Sequence, residues 1–178
     1  MLLSMIAALL AFTSCNSCSR DEAAKPKNVE VTIDNFLSVA KADFASEVKK
    51  SEKAVFYESQ ITFTNIITAD TIGIERVMNV VQDTLVCVQF YHQNGNTYIT
   101  RTQSWWLEDM PINLDNIISL DSAITRLQMA DIVKPKSRLC TLRRILGPTP
   151  TAPAYIFGSM GTGFVQVNAI TGAVSEIK

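Results

Sequence analysis

The chain has 178 residues, 47% of them hydrophobic, and 16 basic residues nearly balance 17 acidic ones for a formal net charge of −1. That balance excludes the strongly basic footprint of nucleic-acid-binding proteins. No nucleic acid is expected as a partner.

In chain order, residues Leu2 to Phe12 come first and are apolar except for Ser4. The run is too short to cross a bilayer as a helix, which takes about 20 apolar residues, but it has the length of a secretory h-region, about 7 to 15. Phe12-Thr13-Ser14-Cys15 then resembles the lipobox of bacterial lipoproteins, in which small residues precede a cysteine that is acylated and becomes the first mature residue. The chain departs from that pattern in carrying Phe12 where an aliphatic is preferred, and in having no charge before Arg20. The resemblance implies a signal peptide over residues 1–14, lipid attachment at Cys15, and a lipidated tether over residues 15–28 that holds the protein to a membrane. Cys18 falls in that tether. The alternative for Cys15 and Cys18 is a redox or metal pair, which needs a structured surround such as a helix N-terminus; the polar neighbours Asn16, Ser17, Arg20, Asp21 and Glu22 do not supply one. Removing the signal leaves 178 − 14 = 164 residues, enough for one large domain or two small ones.

A first helix is predicted over about Asp34 to Lys50, where Ile33, Phe36, Leu37, Ala40, Phe44 and Val48 recur at helical spacing. Thr32 is its candidate N-cap, with Asp34 in the first turn and Lys49 and Lys50 at the end. The period then changes to two. Residues 54–65, 72–82, 85–93 and 96–107 alternate and are rich in β-branched and aromatic side chains, so they read as strands. Asn94-Gly95 is the strongest hairpin signal, because a type I′ turn needs positive φ at both central positions. Pro111 breaks the pattern within residues 108–116, the expected junction of the halves. A second helix follows over about Leu120 to Ala130, with Ser119 as N-cap and Leu120, Ala123, Ile124, Leu127 and Ala130 in one stripe. Strands return at 138–146, 154–159, 163–169 and 173–177. Pro148, Pro150 and Pro153 stiffen the loop at 147–153.

The expected fold class is therefore α+β. Two units, residues 29–112 and 113–178, each lay a helix on an antiparallel sheet, and the two sheets could join as one. The second unit carries "ISLDSAITRL" (118–127) and "FVQVNAITGAVSEI" (164–177). These resemble the PepSY-like families of secreted bacterial proteins, which open with an Ile-Ser lead into an Ala-rich helix and close on an alternating strand, an Asx-x-x-Thr-Gly turn and a short strand. Asn168, Thr171 and Gly172 take the turn positions. The resemblance covers about a third of the chain, from residue 117 to 178, and its motifs are structural. It implies a PepSY-like, cystatin-like layout, a role in binding or inhibiting proteins, and no catalytic residues. The whole layout also resembles lipoproteins of Gram-negative gut bacteria, which implies an envelope location, anchored at the outer membrane.

The sequence holds no recognisable catalytic set. His92 is the single histidine, two residues before the Asn94-Gly95 turn, and reads as a solvated residue at a strand end; no Gly-x-Ser-x-Gly elbow is present. One histidine and two scattered cysteines cannot build a structural zinc site, no calcium loop is present, and neither metal nor cofactor is expected. "GSMGTG" (158–163) lacks the lysine of a P-loop and precedes a strand. Cys87 and Cys140 sit in apolar strand-like runs, where an envelope location allows a disulfide and two buried thiols fit equally well. Trp105 and Trp106 are adjacent on a strand and so face opposite ways: one can enter the core, and the other lies on the second face or under a cover.

These readings converge on a non-enzymatic envelope lipoprotein that binds a protein or peptide through loops projecting from rigid sheets. The candidate binding residues are Asn94 and Gly95, Pro148, Pro150 and Pro153, the Ser159–Gly163 turn, and Trp105 or Trp106 as an anchor. A glycan-binding lipoprotein that stacks sugars on an exposed tryptophan is the alternative partner class. An unrecognised hydrolase is the second alternative.

Overall fold

The computed structural model describes residues 28–103, 110–146 and 151–177. Their order is α1 (Phe36–Val48), β1 (Val55–Phe63), β2 (Ile74–Gln82), β3 (Val86–Gln93), β4 (Asn96–Gln103), a 3-10 turn (Leu114–Asn116), α2 (Leu120–Met129), β5 (Leu139–Arg143), β6 (Ala154–Ser159), β7 (Gly163–Asn168) and β8 (Val174–Ile177). All eight strands lie in one sheet, in the order β4-β3-β2-β1-β5-β6-β7-β8, and every neighbouring pair is antiparallel.

The expectation of two helix-on-sheet units is corrected here. β1 and β5, the first strand of each half, pair with one another from Glu58↔Arg143 to Thr62↔Leu139. Each would otherwise leave a row of bare N–H and C=O groups at the edge of a four-stranded meander, and pairing removes both edges at once. The helices then share one face of one sheet. Their apolar side chains enter a single core that runs from Val31 to Ala169, and Phe36 of α1 meets Tyr155 of β6 edge-on, centroids 6.5 Å apart.

Strand register decides which residues reach that core. Tyr57 is an extra residue in β1, since Phe56 pairs with Val81 and Glu58 with Val80. The bulge lets Phe56, Ser59, Ile61 and Phe63 all face the helices, and all four are buried. Phe63 stacks on Phe157 of β6 at 6.5 Å. α2 buries Leu120, Ala123, Ile124 and Leu127 of the predicted stripe, while Ala130, its last member, is the C-cap and only half-buried, and Ser119 Oγ accepts from the Ser122 N–H at 3.1 Å. α1 begins differently from expectation. Asn35 holds the cap position, and Thr32 braces the turn before it: the Thr32 N–H donates to Asn35 Oδ1 at 2.8 Å while the Asn35 N–H donates to Thr32 Oγ1 at 3.3 Å.

The turns follow their chemistry. Asn94 (φ 52°) and Gly95 (φ 73°) both take positive φ, as a two-residue hairpin of type I′ requires. Asn168 Oδ1 accepts from the Ile170 and Thr171 N–H groups at 2.9 Å each and turns the chain into β8. Gly158 (φ 128°) is needed for a different reason: a Cβ there would lie 2.0 Å from the Gly163 carbonyl oxygen across the β6–β7 hairpin.

Candidate functional site

Two regions carry the polar chemistry of the molecule. The first lies under α1. The buried face of that helix is Phe36, Val39, Ala40, Asp43 and Glu47, so two acids occupy the C-terminal half of a face whose N-terminal half is apolar. Asp43 is met by the sheet. Asn79 Nδ2 donates to Asp43 Oδ2 at 2.7 Å, and Ser59 Oγ donates to Asn79 Oδ1 at 2.6 Å. His92 Nε2 lies 2.7 Å from Asp43 Oδ2, and His92 Nδ1 lies 3.0 Å from Thr97 Oγ1. With Nε2 protonated, the imidazole donates to the carboxylate and its Nδ1 accepts from the threonine hydroxyl, so both ring nitrogens are satisfied. Ser59, Asn79 and His92 are buried to within 3%. One turn on, Glu47 receives both guanidinium arms of Arg101 from β4, at 2.9 and 2.7 Å, and Lys50 Nζ at 2.8 Å. Burial pushes the Glu47 carboxyl up, but the hydrogen bonds and charges of Arg101 and Lys50 outweigh it and hold the carboxyl below its ordinary range.

This arrangement corrects the reading of His92 as solvated. Val81↔Val88, Asn79↔Phe90 and Val77↔His92 put Val88, Phe90 and His92 on the helix-covered face together. The alternation Val88-x-Phe90-x-His92 was the available sequence signal, and its continuation through the histidine locates the side chain inside. Asp43 and Glu47 carry a similar signal, since they extend the helical row of Phe36 and Ala40. The network ties a helix to a sheet: its polar groups bond to one another, and a fully satisfied buried network fixes the position of the elements that hold it.

The second region is the opposite face of the sheet. Both helices pack on one side, so in the described residues the other side is open. Its side chains follow from the register as the alternate set on every strand. Among the described strand residues the charged ones on that face are Glu58, Arg76 and Arg143, and Glu58 lies directly opposite Arg143. Tyr91 on β3 is paired with Tyr98 on β4, and Tyr98 is 58% exposed. The Tyr91 hydroxyl donates to Gln89 Oε1 at 2.7 Å, which holds the ring along its own strand. Met78, Ile156 and Phe164 are half-buried or exposed on the same face, between Thr and Gln side chains. Only small residues on it, Val80, Cys87, Ala154 and Gly158, are buried. Such a surface is depleted in charge and supplied with tyrosine, the composition that marks the centres of protein interfaces.

The loops singled out from the sequence fall at two ends of the molecule. Asn94-Gly95 and the Ser159–Gly163 turn lie at one end of the sheet, separated by the width of β2, β1 and β5. The β5–β6 loop lies at the other end, because it leaves from Arg143 and returns at Ala154, a paired position. Pro153 at its close is buried, and its carbonyl accepts from the Ala169 N–H at 2.8 Å; Arg144 Nε donates to the Thr151 carbonyl at 2.7 Å. The structure does not bring the three loops together. Cys15, Cys18, Trp105, Trp106, Pro148 and Pro150 lie outside the described residues.

Cys87 and Cys140 are both buried free thiols. Cys140 faces the helices opposite Ile61, and Cys87 faces the other way opposite Gln82. Three strand spacings of about 4.8 Å each also separate β3 from β5. No disulfide can join them. Burial raises the pKa of both thiols, which makes them poor nucleophiles. Among the described residues no three His, Cys, Asp or Glu side chains converge to hold a metal ion, and no helix is long and apolar enough to cross a membrane. Comparison of the chain with protein families, curated proteins and solved structures finds no match.

Proposed function

We propose that the chain is a non-catalytic binding module of the bacterial cell envelope, anchored through a lipid at Cys15, and that its open sheet face takes a protein or peptide partner. The observation that carries the reading is the make-up of that face. It spans all eight strands, presents no lysine or aspartate among the described residues, and carries the Tyr91–Tyr98 pair. A sheet face that only had to stay in water gains from dispersed charge. One that must lose its water to a partner gains from tyrosine, glutamine and threonine, which desolvate at lower cost and lose little conformational freedom. The resemblance of residues 117–178 to PepSY-like proteins supports the same class of role. The polar network under α1 then serves the site indirectly, by fixing the strands β2, β3 and β4 that display the tyrosines.

The test pairs two substitutions on opposite sides of the molecule. The full-length chain captures its partner from native envelope extract by cross-linking. Tyr91→Ala on the open face is expected to lower capture of the same partner at least tenfold, since interface tyrosines contribute about 2 kcal/mol or more when they are anchors. Lys41→Ala, on the helix side, leaves capture unchanged. Equal capture by both variants would remove the open face from the reading.

A further inference from the structure

Where α2 meets the β7–β8 turn, a groove of about 600 Å³ opens to solvent. Asp121, Ser122, Thr125, Arg126 and Met129 line it from the helix, and Gly172 and Val174 from the turn and β8. The helical residues recur at i, i+1, i+4, i+5 and i+8, so they form one face beside the stripe that α2 buries. Arg126 is held in this groove by a glycine. Gly172 is buried at φ 74°, and a Cβ there would lie 2.5 Å from Arg126 Cδ and closer still to Nε. The arginine therefore fills the space that the missing side chain leaves. The backbone beneath it is fixed in its turn, since the Gly172 N–H donates to the Asn168 carbonyl at 2.8 Å. Arg126 is exposed, and among the described residues its guanidinium has no hydrogen-bond or ion-pair partner. Arg101 and Arg138, by contrast, are bonded to Glu47 and Glu75. A cation in the last turn suits the dipole of α2, but that effect needs no glycine under the side chain. A planar fork held in one place and left unneutralised is preorganised for a carboxylate.

We propose that this groove binds an extended peptide segment of a partner protein through an acidic side chain, which Arg126 takes. Position decides between an acidic side chain within the segment and the carboxylate of a chain end. Arg126 lies inside the groove, with Asp121 about 7.5 Å before it along the helix axis and Met129 about 4.5 Å beyond it. A bound chain therefore runs past the guanidinium instead of stopping there. The two ends of the groove differ in chemistry. Towards the start of α2, Asp121 and Thr125 accept from peptide N–H groups, and Asp121 repels a second acid. Towards its end, Met129 is 81% exposed and Val174 is half-buried, which makes an apolar seat for an aliphatic side chain. Residues two apart on an extended chain share a face and stand about 6.8 Å apart. The segment is thus an acidic residue with an aliphatic one two positions away. Val174 is paired with Val167, a core residue, so the groove lies on the helix side of the sheet and does not rest on the open-face reading.

The probe is the blocked peptide acetyl-Ala-Glu-Ala-Leu-amide, titrated into the isotope-labelled full-length chain and followed by nuclear magnetic resonance. Saturable shifts are expected at the Arg126 Nε–H and at the backbone amides of α2 and the β7–β8 turn, while the amides of β2 and β3 stay in place. The same peptide with Gln in place of Glu is expected to bind about tenfold more weakly, because it loses a charge-assisted hydrogen bond. Arg126→Gln is expected to keep the far-UV spectrum and melting temperature of the wild type, since the guanidinium has no partner among the described residues to lose. It is also expected to bind the two peptides equally weakly. Equal affinity of the wild-type chain for both peptides overturns the proposal, as does the absence of any shift at millimolar peptide. Sodium acetate that reproduces the shifts at the same concentration overturns it too, because the guanidinium would then take any carboxylate without the groove.

Discussion

The two helices lie on the same face of the same sheet, yet they are held by different physics. α2 presents Leu120, Ala123, Ile124 and Leu127, and its contact is almost wholly apolar. α1 presents Phe36, Val39 and Ala40 at one end and Asp43 and Glu47 at the other, with His92, Asn79 and Arg101 rising to meet the acids. Apolar contact stabilises strongly but tolerates sliding, because any close-packed arrangement of similar volume is nearly as good. A set of hydrogen bonds with fixed partners contributes less net free energy and permits one position only. α2 is thus the helix that holds the fold, and α1 the one that sets the placement of the strands beneath it.

Truncation on the apolar side breaks this comparison most sharply. Leu127→Ala is expected to cost about 3 kcal/mol of unfolding free energy, read as a lower urea midpoint, because it leaves a cavity at a fully buried position. Asp43→Ala comes next, at about 2 kcal/mol. It removes the common acceptor of Asn79 and His92 and leaves two buried donors without a partner. The pair also differ in kind: loss of Asp43 is expected to broaden backbone amide resonances of β2 and β3, and loss of Leu127 to leave them sharp. A Leu127→Ala effect smaller than that of Asp43→Ala would reverse the assignment of roles. The smallest expected effect is that of pH at Glu47. Its folded-state pKa lies below the unfolded value, so the stability it contributes is fully present above about pH 4.5 and is lost as pH falls through the lower, folded-state pKa. Glu47→Gln should flatten the acid limb of a stability–pH curve and leave stability at neutral pH only slightly reduced. An unchanged acid limb would show that Arg101 does not hold the carboxylate in solution.

The same contrast explains what the sequence made legible. The α2 stripe, its Ser119 cap and the Asn168 turn are local and apolar or turn-forming, and each element fell within a few residues of its predicted place. The buried face of α1 was misread because Asp43 and Glu47 interrupt the apolar row; Val48, counted in the predicted stripe, is 38% exposed instead. His92 was misread for the matching reason, since a histidine beside a turn looks solvated until Asp43, 49 residues earlier, is known to face it. The joining of two predicted sheets into one depends on β1–β5 pairing, a contact between distant segments that leaves no local trace. The opposition of Glu58 and Arg143 marks that contact only once the register is in hand. The Tyr91–Tyr98 pair was hidden in the same way, because it is a property of strand pairing and not of either strand alone.

The β1–β5 contact has a consequence for the birth of the chain. β1 sits near the middle of the finished sheet, but its second partner is made late: Arg143 follows Phe63 by 143 − 63 = 80 residues. At about 5 to 20 residues per second of synthesis, β1 can pair with β2 while its other side stays bare for roughly 4 to 16 seconds. During that interval a nine-residue strand rich in aromatic and β-branched side chains is a template for any neighbouring nascent chain. α1, which precedes it and packs across β1 and β2, can cover the apolar face of that strand during the interval but not the edge that β5 later takes.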